Sequence, residues 1–154
     1  MGFSFKHSAG FGKRVEFSII GKMLMEGLDC YVPLVDDHGV DCVVKKEDST
    51  FIEIQIKARS NEVKLGDGAM FASISHELRP NYYFVFVSHR LEKMWIMSSG
   101  EFLKESKLIH SGKNAGKKNI KFNGCKTNKA TGKKEEYMLD KYAKYEQDDF
   151  ALFH

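Results

Sequence analysis

Phe51-Ile52-Glu53-Ile54-Gln55-Ile56-Lys57 is the stretch on which the reading of this chain turns. Side chains alternate across a strand, so Ile52, Ile54 and Ile56 share one face while Glu53, Gln55 and Lys57 share the other. The isoleucine face must be core. The polar row has two readings, a solvated strand face or a row of chemically active groups.

Segments on either side supply partners for it. Upstream, Gly39-Val40-Asp41-Cys42-Val43-Val44 reads as the start of a neighbouring strand, 40–44. Aspartate is depleted in strands, so Asp41 calls for a reason: it caps the turn after His38-Gly39, or it meets the polar row across the pair. Further upstream, residues 13–26 form a helix, with Gly27 placed to close it in a left-handed cap. On a helical projection Ile19, Ile20, Met23 and Leu24 make one apolar arc, with Glu16 inside it. A carboxylate aimed at a core is costly unless it is received, by a structural cation, by Lys57 or by a metal.

The remaining elements read as a strand over 30–35, a turn at Asp36-Asp37-His38-Gly39, a polar turn over 46–50 and a loop over 59–68. Residues 69–78 are helical or irregular. Strands follow at 82–88 (YYFVFVS) and 94–97, then a short helix over 100–105 capped by Ser99. A hairpin is expected around 120–125, a last helix over 135–146, and a tail, 150–153, docked on the core. There is no internal repeat and no linker, so the expectation is one domain over 1–154, with its core at 10–105. The fold class is α/β: a mixed central sheet with flanking helices, in the order α-β-β-β-α-β.

Composition narrows the setting. With 154 residues, 42% hydrophobic and 29% charged, the chain has the balance of a globular domain. It lacks the 18-residue apolar run of a membrane span, and MGFSFKHSAG lacks a secretory core. Three scattered cysteines (Cys30, Cys42, Cys125) form no CxxC pair, so neither a disulfide framework nor a zinc site is favoured and a cytoplasmic setting is expected. Net charge is only +3, but residues 104–134 hold ten lysines and one acid, leaving a balance of −6 for the rest. That asymmetry suggests a basic surface for a polyanion, carried by Lys113, Lys117, Lys118, Lys121, Lys126 and Lys129; a solvated loop without a partner is the alternative. Other candidates are weaker. The histidines lack ligand spacing, Gly66-Asp67-Gly68 is not a phosphate loop, and Trp95, Tyr82 and Tyr83 read as core before they read as base-stacking groups. Cys42 reads as a buried small hydrophobe.

Taken together, Glu16 in the opening helix, Gly39-Val40-Asp41 on the second strand and Gln55-Ile56-Lys57 on the third resemble the PD-(D/E)XK, restriction-endonuclease-like nuclease superfamily. Gln55 in place of the first acid of the final motif is similar to the Mrr-type and Holliday-junction-resolvase-like branches. Val40 stands where the family has proline. The resemblance implies Mg²⁺, with Mn²⁺ as a substitute, held by Asp41, the main-chain carbonyl of Ile56, Glu16 and Gln55. It implies that Lys57 positions or deprotonates the attacking water, and that Asp41, Gln55, Lys57 and Glu16 form the catalytic set. Glu53 would supply the missing charge or be solvated. The implied activity is hydrolysis of nucleic-acid phosphodiesters, DNA before RNA, and cutting both strands needs a homodimer or two encounters. A catalytically silent nucleic-acid-binding module on the same fold is the alternative, and a protein-interaction role for the acidic face a third reading.

Overall fold

The computed structural model describes residues 8–35 and 38–154. Helix α1 (Ser8–Met25) ends as its glycine predicts. Gly27 takes φ +86°, its N–H bonds the Leu24 carbonyl, and the Leu28 N–H reaches back to Met23, the two bonds of a Schellman cap. The central sheet has five strands in the order β1-β2-β3-β5-β6: β1 (Asp29–Tyr31), β2 (Cys42–Lys45), β3 (Phe51–Arg59), β5 (Tyr82–Ser88) and β6 (Lys93–Ser98). Only the β3–β5 pairing is parallel, so the sheet is mixed. The α/β class with a mixed sheet and few helices is as expected.

The β3 alternation splits the interior into two cores. Ile52, Ile54 and Ile56 join Cys42, Val44 and Val85 against Ile19, Ile20 and Met23 of α1, with the tail residues Phe150 and Phe153 docked beside them. The other face carries Phe84, Phe86, Trp95 and Met97. It is covered by α2 (Ser99–Glu105), by a three-stranded sheet of β4 (Met70–Ile74), β8 (Lys118–Lys121) and β7 (Lys107–Leu108), and by a 3₁₀ turn, Asp140–Tyr145. Tyr82 and Trp95 are core, and Cys42 is fully buried. Strands β9 (Asn123–Thr127) and β10 (Lys134–Met138) pair as a separate hairpin.

Five expectations are corrected. The helix expected over 135–146 is strand β10 followed by the 3₁₀ turn. Its helix-forming residues are overridden because Glu136 is drawn inward, where it accepts from Gly66 N–H, Asn123 Nδ2 and Arg90. The segment 69–78 contains strand β4, so no helix stands between β3 and β5. Residues 120–125 are not a hairpin: β8 and β9 run into different sheets, because Phe122 turns into the core between them. The strand read over 30–35 stops at Tyr31, two residues before Pro33. The cap of α2 is Ser98, not Ser99, and forms a capping box with Glu101. The turn read at Asp36-Asp37 lies outside the described residues.

Candidate active site

The polar row of β3 faces the second core, not open solvent. Register places Glu53 beside Tyr82, Gln55 beside Phe84 and Lys57 beside Phe86, all half-buried or deeper. Half-buried polar groups need partners. Glu53 Oε2 receives Arg79 Nη2 at 2.5 Å, and Gln55 Oε1 lies 3.2 Å from the Tyr82 hydroxyl. Lys57 makes no ion pair among the described residues.

Asp41 sits where β2 begins to pair with β3. The register Cys42↔Ile54 would bring Asp41 opposite Gln55, yet the Asp41 N–H donates to the Ile54 carbonyl at 2.9 Å, a slip of one residue. Such slips re-aim side chains. Here the slip directs the Asp41 carboxylate to the next amide along β3, and Oδ2 accepts the Ile56 N–H at 2.7 Å. In an antiparallel pair a residue's N–H and C=O point to the same neighbour, so the Ile56 carbonyl also opens toward the Asp41 side. Asp41 is 9% exposed. A buried carboxylate and a main-chain carbonyl therefore share one edge of β3, the strand that also bears Lys57.

The turn before Asp41 is clamped by Arg79, which the sequence did not flag, and by Tyr82, which reads from sequence as core. Arg79 Nη1 donates to the His38 carbonyl at 2.7 Å while its Nη2 holds Glu53, and the Tyr82 hydroxyl donates to the Gly39 carbonyl at 2.5 Å. Gly39 has φ +66°, and a Cβ there would lie 2.9 Å from Gln55 Nε2, so the position requires glycine. Only the parallel Glu53↔Tyr82 register brings Arg79 to this place, and no periodicity in either segment carries a trace of it. Beside the clamp opens a cleft of about 470 Å³, lined by Gln55, Ser75, His76, Arg79 and Tyr82 among others. Burial, with the Arg79 cation second, lowers the His76 pKa to about 4. Burial raises that of the Tyr82 phenol, so both side chains are neutral near pH 7. The Cys42 thiol is pushed up to about 12 by burial, which removes it as a nucleophile.

Glu16 is 9% exposed and its carboxylate is met by Lys13 at 3.0 Å. Because α1 covers the isoleucine face, Glu16 and Lys57 belong to opposite faces of the sheet. The six candidate lysines belong to the segment from β7 to the β9–β10 turn, of which β8 lies over the polar-row face. Lys113, Lys126 and Lys129 are exposed, whereas Lys117, Lys118 and Lys121 are half-buried. Lys121 lies 3.7 Å from Asp67, and Lys126 lies over the Tyr137 ring at 5.2 Å.

Among the described residues no group of three or more His, Cys, Asp or Glu is assembled. The donor set at the strand edge is oxygen only, one carboxylate and one carbonyl. That fits a hard cation which keeps several of its waters, as Mg²⁺ does, and does not fit zinc.

No protein-family model matches the chain, and no curated protein matches it. Among solved structures it is similar to that of a bacterial homing endonuclease, I-Ssp6803I, with a TM-score of 0.58 over 92% of this chain and 88% of that one. Sequence identity is 14%, so the likeness is one of fold. No described helix is long and apolar enough to cross a membrane.

Proposed function

We propose that the chain is a Mg²⁺-dependent endonuclease of the PD-(D/E)XK type that hydrolyses DNA phosphodiester bonds. The observation that carries this reading is the Asp41 carboxylate fixed at the Ile56 amide, on the edge shared with the Ile56 carbonyl. Asp41 and that carbonyl would hold the ion, which neutralises charge on the scissile phosphate and lowers the pKa of a bound water. Lys57, a half-buried ammonium with no ion pair among the described residues, would orient the attacking water or stabilise the charge that develops on the phosphate. Glu16 would join the ion by exchanging Lys13 for it. Gln55 would serve chiefly beside the Gly39 turn, where its Oε1 lies 3.2 Å from the Tyr82 hydroxyl. The lysines of 104–134 would hold the phosphodiester backbone without reading sequence. The fold shared with a homing endonuclease supports the same reading.

One observation favours a silent binding module instead: Glu53 is paired with Arg79 and Glu16 with Lys13, so neither carboxylate is offered uncompensated to a metal ion. Digestion of a panel of labelled DNA structures separates the two. Cleavage is expected with Mg²⁺ or Mn²⁺, none in EDTA or with Ca²⁺, and none by Lys57→Met. Tight DNA binding without cleavage of any structure in Mg²⁺ or Mn²⁺ would replace the nuclease by the binding module.

A further inference from the structure

We infer that the cleft beside Gln55 is a subsite for one unpaired nucleobase of the DNA, stacked on Arg79. The inference rests on the nuclease reading and adds to it a place for the nucleotide next to the cut. Three flat groups are already stacked there. The His76 ring lies on Tyr82 at 4.9 Å between centroids and 29° between planes, and the Arg79 guanidinium lies over the same ring at 4.5 Å. Both neighbours lie against the Tyr82 ring. His76 is further enclosed by Phe84 and Phe102, which meet it edge-on, whereas the Arg79 side chain is 30% exposed. Arg79 is thus the member of this cluster that a ligand in the cleft can reach.

Two bonds hold the guanidinium in place, one to the His38 carbonyl and one to Glu53. Both engage N–H groups in its plane, the direction from which a phosphate would be bound, and Glu53 already neutralises its charge. Two of its five N–H donors are spent in this way, and with its charge met by Glu53 the guanidinium offers its π face as a platform on which nucleobases stack. The cleft walls suit a flat, hydrogen-bonding ligand more than a phosphate: a Gln55 amide, a Ser75 hydroxyl and a neutral His76 supply donors and acceptors, and Glu77 adds a carboxylate that would repel a phosphate. At about 470 Å³ the cleft has room for a base and its sugar. It also has the right address, since Gln55 is two residues, roughly 7 Å along a strand, from Lys57. Gly39, on its rim, is two residues before Asp41.

The test is a binding cycle run in Ca²⁺, using single-stranded and gapped DNA with either 2-aminopurine or an abasic residue at each successive position. In the wild-type protein, one position should show quenched 2-aminopurine fluorescence. At that position the abasic change should weaken binding by roughly 5- to 150-fold, the range measured for losing a base–aromatic stack. In Arg79→Ala, and in Arg79→Lys, which keeps the charge and the Glu53 pair, the abasic penalty should disappear. Because each variant is compared on intact and abasic DNA, any loosening of the 38–41 turn cancels from the cycle. An abasic penalty that survives both substitutions overturns the inference. So does an equal loss on intact and abasic DNA, which would make Arg79 a phosphate contact or a purely structural one. Wild-type protein that cuts DNA but shows no abasic-sensitive position sinks the subsite alone. Wild-type protein that binds no DNA sinks the nuclease reading with it.

Discussion

Asp41 and Ile56 are bound to each other through a carboxylate and a main-chain amide, Oδ2 to N–H at 2.7 Å, across the point where β2 and β3 part. The bond replaces a ladder hydrogen bond that the one-residue slip removes. It also makes the candidate ligand part of the backbone that positions Lys57.

The two jobs of Asp41 separate by substitution. Asp41→Asn keeps an oxygen to accept the Ile56 N–H and removes the charge, so the melting temperature should hold. The cleavage rate should fall by about two orders of magnitude or more as ion binding is lost. Asp41→Ala removes the acceptor too. A buried N–H left without a partner costs about 1–3 kcal/mol, so this variant should also unfold earlier in urea. Equal stability of the two variants would show that the bond does not hold the strands.

Glu16→Gln is the substitution that distinguishes structural from ionic use of the helix carboxylate. The Lys13 side chain is 52% exposed, so freeing it strands no buried charge. The pair should contribute no more than about 1 kcal/mol, well below the roughly 3–5 kcal/mol lost when a fully buried pair is broken. Cleavage should fall and be partly restored by raising Mg²⁺. A clear loss of thermal stability in EDTA with unchanged cleavage would remove Glu16 from the site.

The strand pattern made the first core legible, because isoleucine alternation is local: Ile52, Ile54 and Ile56 are buried against the helix arc that Ile19, Ile20 and Met23 define. The order of Glu16, Asp41, Gln55 and Lys57 was legible for the same reason. The covering layer was not. Lys118–Lys121 and Lys134–Met138 are too polar to announce themselves as strands; what fixes them is distant, Asn119 Oδ1 on Ser73 N–H and the Glu136–Arg90 pair. The polar row carried the same ambiguity, since alternation assigns two faces but does not say what covers the second. Arg79 was invisible because its partners, His38 and Glu53, are 41 and 26 residues away in the chain.

Replacing Lys117, Lys118, Lys121 and Lys126 by alanine should weaken DNA binding and flatten its salt dependence. Each lost phosphate contact removes about 0.9 from the slope of log K against log salt on duplex DNA. Because Lys121 is close to Asp67 and Lys126 to the Tyr137 ring, the combined change should fall short of four full contacts. An unchanged slope, measured from 50 to about 200 mM salt, would place the DNA on another face.

Glu136 is the inward anchor of the β9–β10 hairpin. Its side chain is 5% exposed, and it receives the Gly66 amide, Asn123 and Arg90, while Arg90 also bonds the carbonyls of Asn61, Val63 and Lys64. Glu136→Ala leaves a largely buried guanidinium uncompensated and should cost about 3–5 kcal/mol in urea unfolding. Gly68→Ala should act through the same carboxylate, because a Cβ at Gly68 would collide with Glu136 Oε2. A Glu136→Ala protein as stable as wild type would show that the hairpin is held by other contacts.

His76 sets the expected response of the fold to acid. Its Nε2 lies 2.6 Å from Ser99 Oγ, an oxygen that also accepts the Arg79 N–H at 2.9 Å. Tyr82, Phe84 and Phe102 close around the ring, and Arg79 is the nearby cation. Burial first, and Arg79 second, lower the pKa from an ordinary 6.5 to about 4. Between those values the unfolded chain binds a proton that the folded protein refuses, so stability must rise with pH across that window. The contribution of neutral His76 is therefore complete above about pH 6.5 and is lost as pH falls toward 4. Melting temperatures of the wild-type protein and of His76→Gln, whose side chain does not titrate, should converge as pH is lowered through that range. Convergence is the informative quantity, since every carboxylate common to both proteins cancels from the difference. A gap that stays constant from pH 7 to 4, or a His76 ring resonance titrating near 6.5, would mean that the ring is solvated and the stack open.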